Sequence, residues 1–200
     1  MNEYVDLLEL PDKRTVKFSR LAIPGELGKL KTFIGSMPEE DLLSINIDKN
    51  DRQTLELFMD NLKDAKHSCI CARFEDGSLA GFTMLKLPEY GWMRSIAEIK
   101  GVVHPELRKL GIAKKLLYAI FRISISENKS ISTLIIRSIE GDRSSADALE
   151  YMGFKKHCVI EGFAHDIVGR RKNLVIYALD VNEFWNKIAY GKQFGRSMED

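Results

Sequence analysis

The 200-residue sequence predicts one mixed α/β domain, of the α+β type, in which strands dominate the middle of the chain. Two strand-like runs flank the Asp76-Gly77 pair, and an Asp-Gly pair in that setting is a strong β-hairpin signal. A further apolar run stops at Pro105, and a helix with an apolar stripe follows it. No repeat, low-complexity tract or linker separates these elements. We therefore expect residues 1–180 to form a single domain, followed by a short helix and tail over 181–200.

The first third of the chain predicts a short strand followed by helices. Residues 16–20 have strand character, and Pro24-Gly25 punctuates the chain after them. Apolar residues recur at helical spacing over 27–34, and a loop and a new helix start come next. Asp51 is suited to cap a third helix, because its carboxylate can accept hydrogen bonds from the first free amides of that helix.

The rest of the chain predicts the sheet and the helices that cross it. Strand-like runs lie at 68–74, 79–87, 94–103, 131–139, 154–163 and 173–179. An amphipathic helix begins near Ile112, a shorter one ends before Gly153, and a last helix spans 180–190. The final residues are expected to be disordered.

The composition excludes several classes of protein. Thirty basic residues and 29 acidic ones leave a net charge of +1, so the chain lacks the excess of basic charge that is typical of a nucleic-acid binder. No apolar run is long enough to span a bilayer, so we expect no membrane partner. The first six residues are acidic and resemble no secretory signal.

The cysteines indicate a reducing compartment. There are three of them, Cys69, Cys71 and Cys158, which is too few and odd in number for a disulfide framework. We therefore expect a cytoplasmic protein. Cys69 and Cys71 point the same way along a strand, but no second ligand pair has zinc-site spacing, so we expect no metal.

The most informative segment of the chain joins the strand over 94–103 to the amphipathic helix. It contains Arg108-x-x-Gly111-x-Ala113, which opens the helix just after Pro105. Gly111 permits backbone angles that a Cβ would forbid, and Ala113 keeps the approach to the main chain open. A helix start presents unpaired N–H groups and the positive end of a dipole, which suits a phosphate or pyrophosphate.

This order of elements resembles the GNAT superfamily of acyl-CoA-dependent N-acyltransferases. The family's Gln/Arg-x-x-Gly-x-Gly/Ala marker is matched by Arg108, Gly111 and Ala113, its Val-x-Pro lead-in by Val103 and Pro105, and its later Gly-Phe by Gly153-Phe154. The resemblance extends over residues 15–180. It implies a mostly antiparallel sheet of about six or seven strands, flanked by helices and splayed between the strands that end near Val103 and Ile139.

The resemblance also implies acetyl-CoA as co-substrate. Its pyrophosphate would lie on the main chain of six consecutive residues, namely Arg108, Lys109, Leu110, Gly111, Ile112 and Ala113. The pantetheine arm would add to the free strand edge at Val102 and Val103, whose amides could also serve as an oxyanion donor. Asp142 stands where the family has a loop asparagine beside the cofactor.

The catalytic groups match the family less closely. Glu98 is the best candidate for a general base, but the family's strand glutamate corresponds to Ala97, one residue away. A structural or substrate-orienting role for Glu98, with Lys100 or Arg94, is the alternative. Leu149 occupies the position of the family's proton-donating tyrosine, and that role does not transfer to Tyr151, which points elsewhere on its helix.

The predicted function is transfer of an acetyl group from acetyl-CoA to a primary amine by direct attack in a ternary complex. The acceptor is either a small molecule or a protein amine. Trp92, Tyr90 and His165 are candidates for contacts to it. Two alternatives stay open: an acyl-CoA-binding sensor without catalysis, and a protein-binding module that uses Phe184-Trp185 and the basic loop over 164–172. The resemblance is compatible with a homodimer.

Overall fold

A computed structural model describes residues 5–23, 25–64, 67–88, 90–127 and 130–190. It has a single sheet with helices on both faces. The strands are β1 (Val5–Glu9), β2 (Thr15–Arg20), β3 (His67–Arg73), β4 (Leu79–Lys86), β5 (Ile96–Val103), β6 (Thr133–Ile139), β7 (Lys155–His165) and β8 (Arg171–Asp180). The helices are α1 (Leu27–Ser36), α2 (Glu39–Leu43), α3 (Arg52–Asn61), α4 (Ile112–Glu127), α5 (Arg143–Tyr151) and α6 (Val181–Tyr190).

The sheet has eight strands in the order β1-β2-β3-β4-β5-β6-β8-β7. All neighbours are antiparallel except β5 and β6, which run parallel. This confirms the predicted mixed, mostly antiparallel sheet, with one strand more than expected. The additional strand is β1, which pairs with β2 at the edge of the sheet. It is short and its side chains are exposed or half-buried, so it lacks the apolar run that identifies a buried strand.

Each face of the sheet carries its own apolar core. On one face, α4 packs against the sheet through Leu116, Ile120 and Phe121, all almost fully buried. On the other face, α1, α2 and α3 cover the first half of the sheet, and Phe82 lies at the centre of that core. Full burial of one such side chain contributes about 1.5–3 kcal/mol, so these two cores hold the layers together.

Several local predictions are confirmed. Asp51 caps α3, accepting hydrogen bonds from the amides of Gln53 at 2.9 Å and Thr54 at 3.4 Å. Asp76 and Gly77 form the tight turn between β3 and β4, where Gly77 has a φ of 81°. At the other end of the chain, Phe184 of α6 is buried against Phe121 at a ring distance of 4.4 Å. The predicted tail over 191–200 lies outside the described residues.

None of the helices over the described ranges is long and apolar enough to cross a membrane.

Candidate active site

The turn between β5 and α4 is a cradle of main-chain amides. A short 3-10 turn over Pro105–Leu107 leads into it, and α4 begins at Ile112. Lys109 and Gly111 both have positive φ, 64° and 82°. The Gly111 carbonyl accepts from the amide of Lys115 at 3.1 Å, so Gly111 caps the helix. The six amides over 109–114 donate no hydrogen bond to any acceptor in the described part of the chain. Alternating backbone conformations next to a helix start form a concave anion-binding nest.

The need for glycine at position 111 is conformational rather than steric. A Cβ there would meet only the Leu8 side chain of β1, at 3.8 Å, which is ordinary contact. The φ of 82° is instead the left-handed region that L side chains rarely adopt. This agrees with the sequence-based interpretation of Gly111 as the residue that shapes the turn.

The side chain of Arg108 points away from the cradle. It forms an ion pair with Asp41 of α2 at 2.6 Å, and its Nε donates to the Val103 carbonyl at 3.4 Å. Arg108 therefore ties the turn to the helices on the opposite layer. Sequence reasoning missed Asp41, since no local pattern connects residues so far apart.

The sheet opens beside the cradle. The strands β5 and β6 pair only from Ile96 to Glu98, opposite 133–135, although β5 continues to Val103 and β6 to Ile139. The amide of His104 bonds the Ala80 carbonyl at 2.9 Å. Because hydrogen bonding alternates along an antiparallel pair, the main chain of Val102 faces β4, while that of Gly101 and Val103 faces the gap. The predicted splay is present.

Glu98 lies where the gap begins, and it is paired. Its two carboxylate oxygens accept from Arg137 of β6, from Nε at 2.7 Å and from Nη2 at 2.8 Å. The strand pairing between β4 and β5 is regular from Gly81 to Lys86, with no bulge. Ala97 is consequently buried on the α4 face, and Glu98 is on the opposite face. The partner of Glu98 is neither Lys100 nor Arg94 but Arg137 of β6.

The loop before α5 uses its acidic residue locally. Asp142 caps α5, accepting from the amide of Ser145 at 3.1 Å and from its hydroxyl. Leu149, at the position of the family's tyrosine, is buried in the core. The Tyr151 ring lies under the Lys114 ammonium at 3.8 Å, so α5 contacts the first turn of α4. The cofactor contact of Asp142 stays a prediction.

The candidates for acceptor contacts are scattered. Trp92 and Tyr90 are fully exposed in the loop before β5, where they line a shallow, open cleft. The His104 ring packs against Phe33 at 6.4 Å, and His165 is exposed at the end of β7. No enclosed acceptor pocket is formed by these residues.

Two other features of the sequence have structural roles. Asp166 is buried in the β7–β8 turn, where it accepts from the amides of Val168 and Arg170 and from Arg170 Nε at 2.7 Å. Burial alone would raise the pKa of Asp166, but these hydrogen bonds outweigh it and lower that pKa.

The thiols of Cys69 and Cys71 are buried on β3, and the hydrogen bond between them together with burial raises the pKa of Cys69. No three potential metal ligands cluster in the described ranges.

Comparisons with known proteins agree with this geometry. The family model described as acetyltransferase (GNAT) family matches residues 38–154. The chain belongs to the GNAT acetyltransferase family. No curated protein matches it by sequence.

Solved structures share the fold at low identity. The spermidine N-acetyltransferase of Vibrio cholerae in complex with CoA and spermine is 14% identical, with a TM-score of 0.69 over 86% of this chain and 98% of that one. An N-acetyltransferase from Staphylococcus aureus Mu50 is 16% identical, with a TM-score of 0.67 over 83% and 98%. A GNAT-family acetyltransferase from Streptococcus pneumoniae is 14% identical, with a TM-score of 0.65 over 82% and 99%.

Proposed function

We propose that this protein transfers an acetyl group from acetyl-CoA to a primary amine by direct attack in a ternary complex. The observation that carries the proposal is the run of six unbonded amides over 109–114, next to the gap between β5 and β6. The amides supply donors for a diphosphate, and the gap supplies a free strand edge for an amide-bearing arm. The CoA complex of the Vibrio cholerae neighbour supports the choice of cofactor.

The cofactor would bind mainly through the main chain. The diphosphate would accept from the amides of Lys109, Leu110, Gly111, Ile112 and Ala113, with Arg108 as the residue that fixes the turn. The pantetheine amides would pair with the edge that Gly101 and Val103 present to the gap, and the half-buried Val102 side chain would pack beneath. Because these contacts are to backbone, they depend on conformation more than on side-chain identity.

The reaction needs little covalent participation from the protein. The neutral amine nitrogen attacks the thioester carbonyl, the new C–N bond forms and the C–S bond breaks. The amide of Val103 or Gly101 would donate to the oxyanion. The amine gives up a proton to a base and the CoA thiolate leaves, taking up a proton from water, since Leu149 offers none.

Glu98 is the candidate base, and its ion pair with Arg137 affects how it could accept a proton. A proton from the amine would compete with the guanidinium for the same two oxygens. The alternative role is positional, with the ion pair bracing the point where the sheet opens. A cytoplasmic location fits three cysteines with no disulfide. The resemblance is compatible with a homodimer.

Titration calorimetry with acetyl-CoA tests the cofactor site, and thiol release over a panel of amines tests the transfer. The panel includes spermidine, the substrate named for the Vibrio cholerae neighbour, and a lysine-containing peptide as a protein-type acceptor. We expect acetyl-CoA to bind and at least one amine to be acetylated. Binding without turnover on any amine would favour the sensor, and no binding would overturn both cofactor-based functions.

The protein-binding alternative receives less support. Phe184 is buried, and Arg170 and Lys172 of the basic loop are held by Asp166 at 2.7 and 3.8 Å. Phe184, Arg170 and Lys172 are therefore used within the fold, whereas Trp185 is about half exposed.

A further inference from the structure

A cluster of charged side chains lies on one face of the sheet at the closed end of the gap. The pairing of β4 with β5 places Lys86 beside Glu98 and Met84 beside Lys100. The pairing of β5 with β6 places Ile135 beside Glu98, and Arg137 follows two residues later. Side chains two apart on a strand share a face, so Lys86, Lys100, Arg137 and Glu98 all lie on the face opposite α4.

Positive charge exceeds negative charge in this cluster. Both oxygens of Glu98 are taken by Arg137, and Glu98 is the only carboxylate that the described residues place among the three cations. Neither Lys86 nor Lys100 forms an ion pair with any described residue. Three cations therefore lie beside one carboxylate, which pairs with Arg137; Lys86 is exposed and Lys100 is half-buried.

The environment of Lys100 is unfavourable for its own charge. Burial lowers the pKa of Lys100; Glu98 raises it, and Arg137 and Lys86 lower it further. A half-buried ammonium without a bound anion is costly, whereas an anion placed against it would remove that cost. An ordinary solvated surface lysine has neither the burial nor the two cationic neighbours.

The location separates this cluster from the cofactor's phosphates. The amide cradle follows Val103 at the open end of the gap, and Glu98 is at the closed end. The five residues between them span about 17 Å at the usual strand rise. An arm that starts at the cradle and follows β5 would therefore carry its acetyl group towards the cluster and away from the diphosphate.

We propose that Lys100 and Lys86, with Arg137, form an anion-binding subsite for the acceptor, and that the acceptor is a primary amine that also carries a carboxylate or a similar compact anion. This rests on the proposed acetyltransferase function. The anion of the acceptor pairs with the two lysines, and its amine is held near the thioester. A polycationic amine meets three like charges at the same place and is disfavoured.

Matched amines test the preference. We compare kcat/KM for 4-aminobutyrate with that for 4-aminobutanamide, and for a dipeptide with that for its C-terminal amide, and we include spermidine. Since a hydrogen bond to a charged group contributes more than a neutral one, we expect the carboxylates to be favoured about tenfold or more. Equal rates, or a preference for spermidine or the amides, would overturn the subsite while leaving the transferase function intact.

Variants locate the effect. Lys100→Gln and Lys86→Gln should raise KM for the carboxylate substrate and leave KM for acetyl-CoA unchanged, and Lys100→Arg should restore binding. Lys17→Gln, an exposed lysine on β2, is the matched control. Lys86 is exposed, so its variant keeps the test valid if Lys100→Gln fails to fold. If no amine is acetylated, calorimetry measures the affinity of the protein for N-acetyl-4-aminobutyrate and for its amide. Equal affinity for the two, or no binding of either, would overturn the proposal.

Discussion

Gly111 connects the sequence motif to the amide cradle. Its φ of 82° lets the chain turn from the 3-10 turn into α4 with its amides facing outward. A side chain would have room there, so substitution acts through the backbone rather than through a clash.

We expect Gly111→Ala to lower the free energy of unfolding by about 1 kcal/mol, because left-handed geometry is strained for alanine. If the backbone relaxes to relieve that strain, the amides of the cradle should change direction and acetyl-CoA binding should weaken. Calorimetry on the folded variant measures this change in affinity. Gly169→Ala is the control, since Gly169 has a similar φ of 79° and open space in the β7–β8 turn. Unchanged cofactor affinity in Gly111→Ala would argue against the cradle.

The two roles of Glu98 predict different pairs of variants. If Glu98 is the base, Glu98→Gln should lower kcat sharply because the amide cannot accept the proton of the amine. Arg137→Gln should then keep most of kcat, because the carboxylate stays, and should raise KM for an anionic acceptor. If the ion pair only braces the strands, both variants should lose activity and stability to a similar extent. Separate values of kcat and KM, together with thermal unfolding of both variants, decide between them.

The residues of the site differ in how well the sequence predicts them. Gly111 and Asp51 act through their own backbone neighbourhood, so local pattern was sufficient. The partners Asp41 of Arg108 and Arg137 of Glu98 are set by helix packing and by the parallel register of two strands. Neither is encoded in a local spacing, so the sequence suggests Lys100 and Arg94, which are near Glu98 in the chain, as its partners.

At the scale of elements, α5 begins at Asp142, the capping residue that is predicted to lie beside the cofactor. A carboxylate near a phosphate is unfavourable, and asparagine caps a helix as well as aspartate does. We expect Asp142→Asn to leave the unfolding free energy nearly unchanged and to raise acetyl-CoA affinity roughly two- to tenfold. Asp51→Asn, which changes the cap of α3, should leave affinity unchanged. Equal affinity in both variants would mean that Asp142 does not face the cofactor.

The β7–β8 turn should respond to pH through Asp166. Its pKa is lowered in the folded state, so the folded protein binds fewer protons than the unfolded chain at acidic pH. The contribution is complete above the ordinary carboxyl pKa of about 4 and is lost as pH falls below it. Asp166→Asn should therefore unfold at a lower temperature than the wild type at pH 7, with the difference shrinking below about pH 4. A difference independent of pH would contradict this.

Elements that bury an apolar face were predicted well, and those that do not were missed. Helix α4 and strands β3 to β6 have clear periodicity because each contributes to a core. The edge strand β1 contributes Leu8 at the margin of that core and nothing fully buried, so its sequence carries little signal. Its pairing with β2 is visible only once β2 is placed in the sheet.

At the scale of the whole molecule, the proposed cofactor would bind where the sheet opens between β5 and β6. Strands β5 and β6 separate after three pairs, while the core on the α4 face extends across both halves of the sheet. A ligand that bonds the edge of β5 and the start of α4 would bind only the folded state, since both sites require tertiary structure. Binding and global stability should therefore be linked.

We expect acetyl-CoA at one hundred times its dissociation constant to stabilise the fold by about 2.7 kcal/mol. For a chain of this size that corresponds to a rise of roughly 5–10 °C in the unfolding temperature. Acetyl-pantetheine, which lacks the diphosphate, should give a much smaller rise at the same concentration, because it cannot use the amides over 109–114. Gly111→Ala should need more acetyl-CoA than Gly169→Ala for the same rise. Equal shifts with both ligands would place the main anchor along the strand edge instead of the cradle.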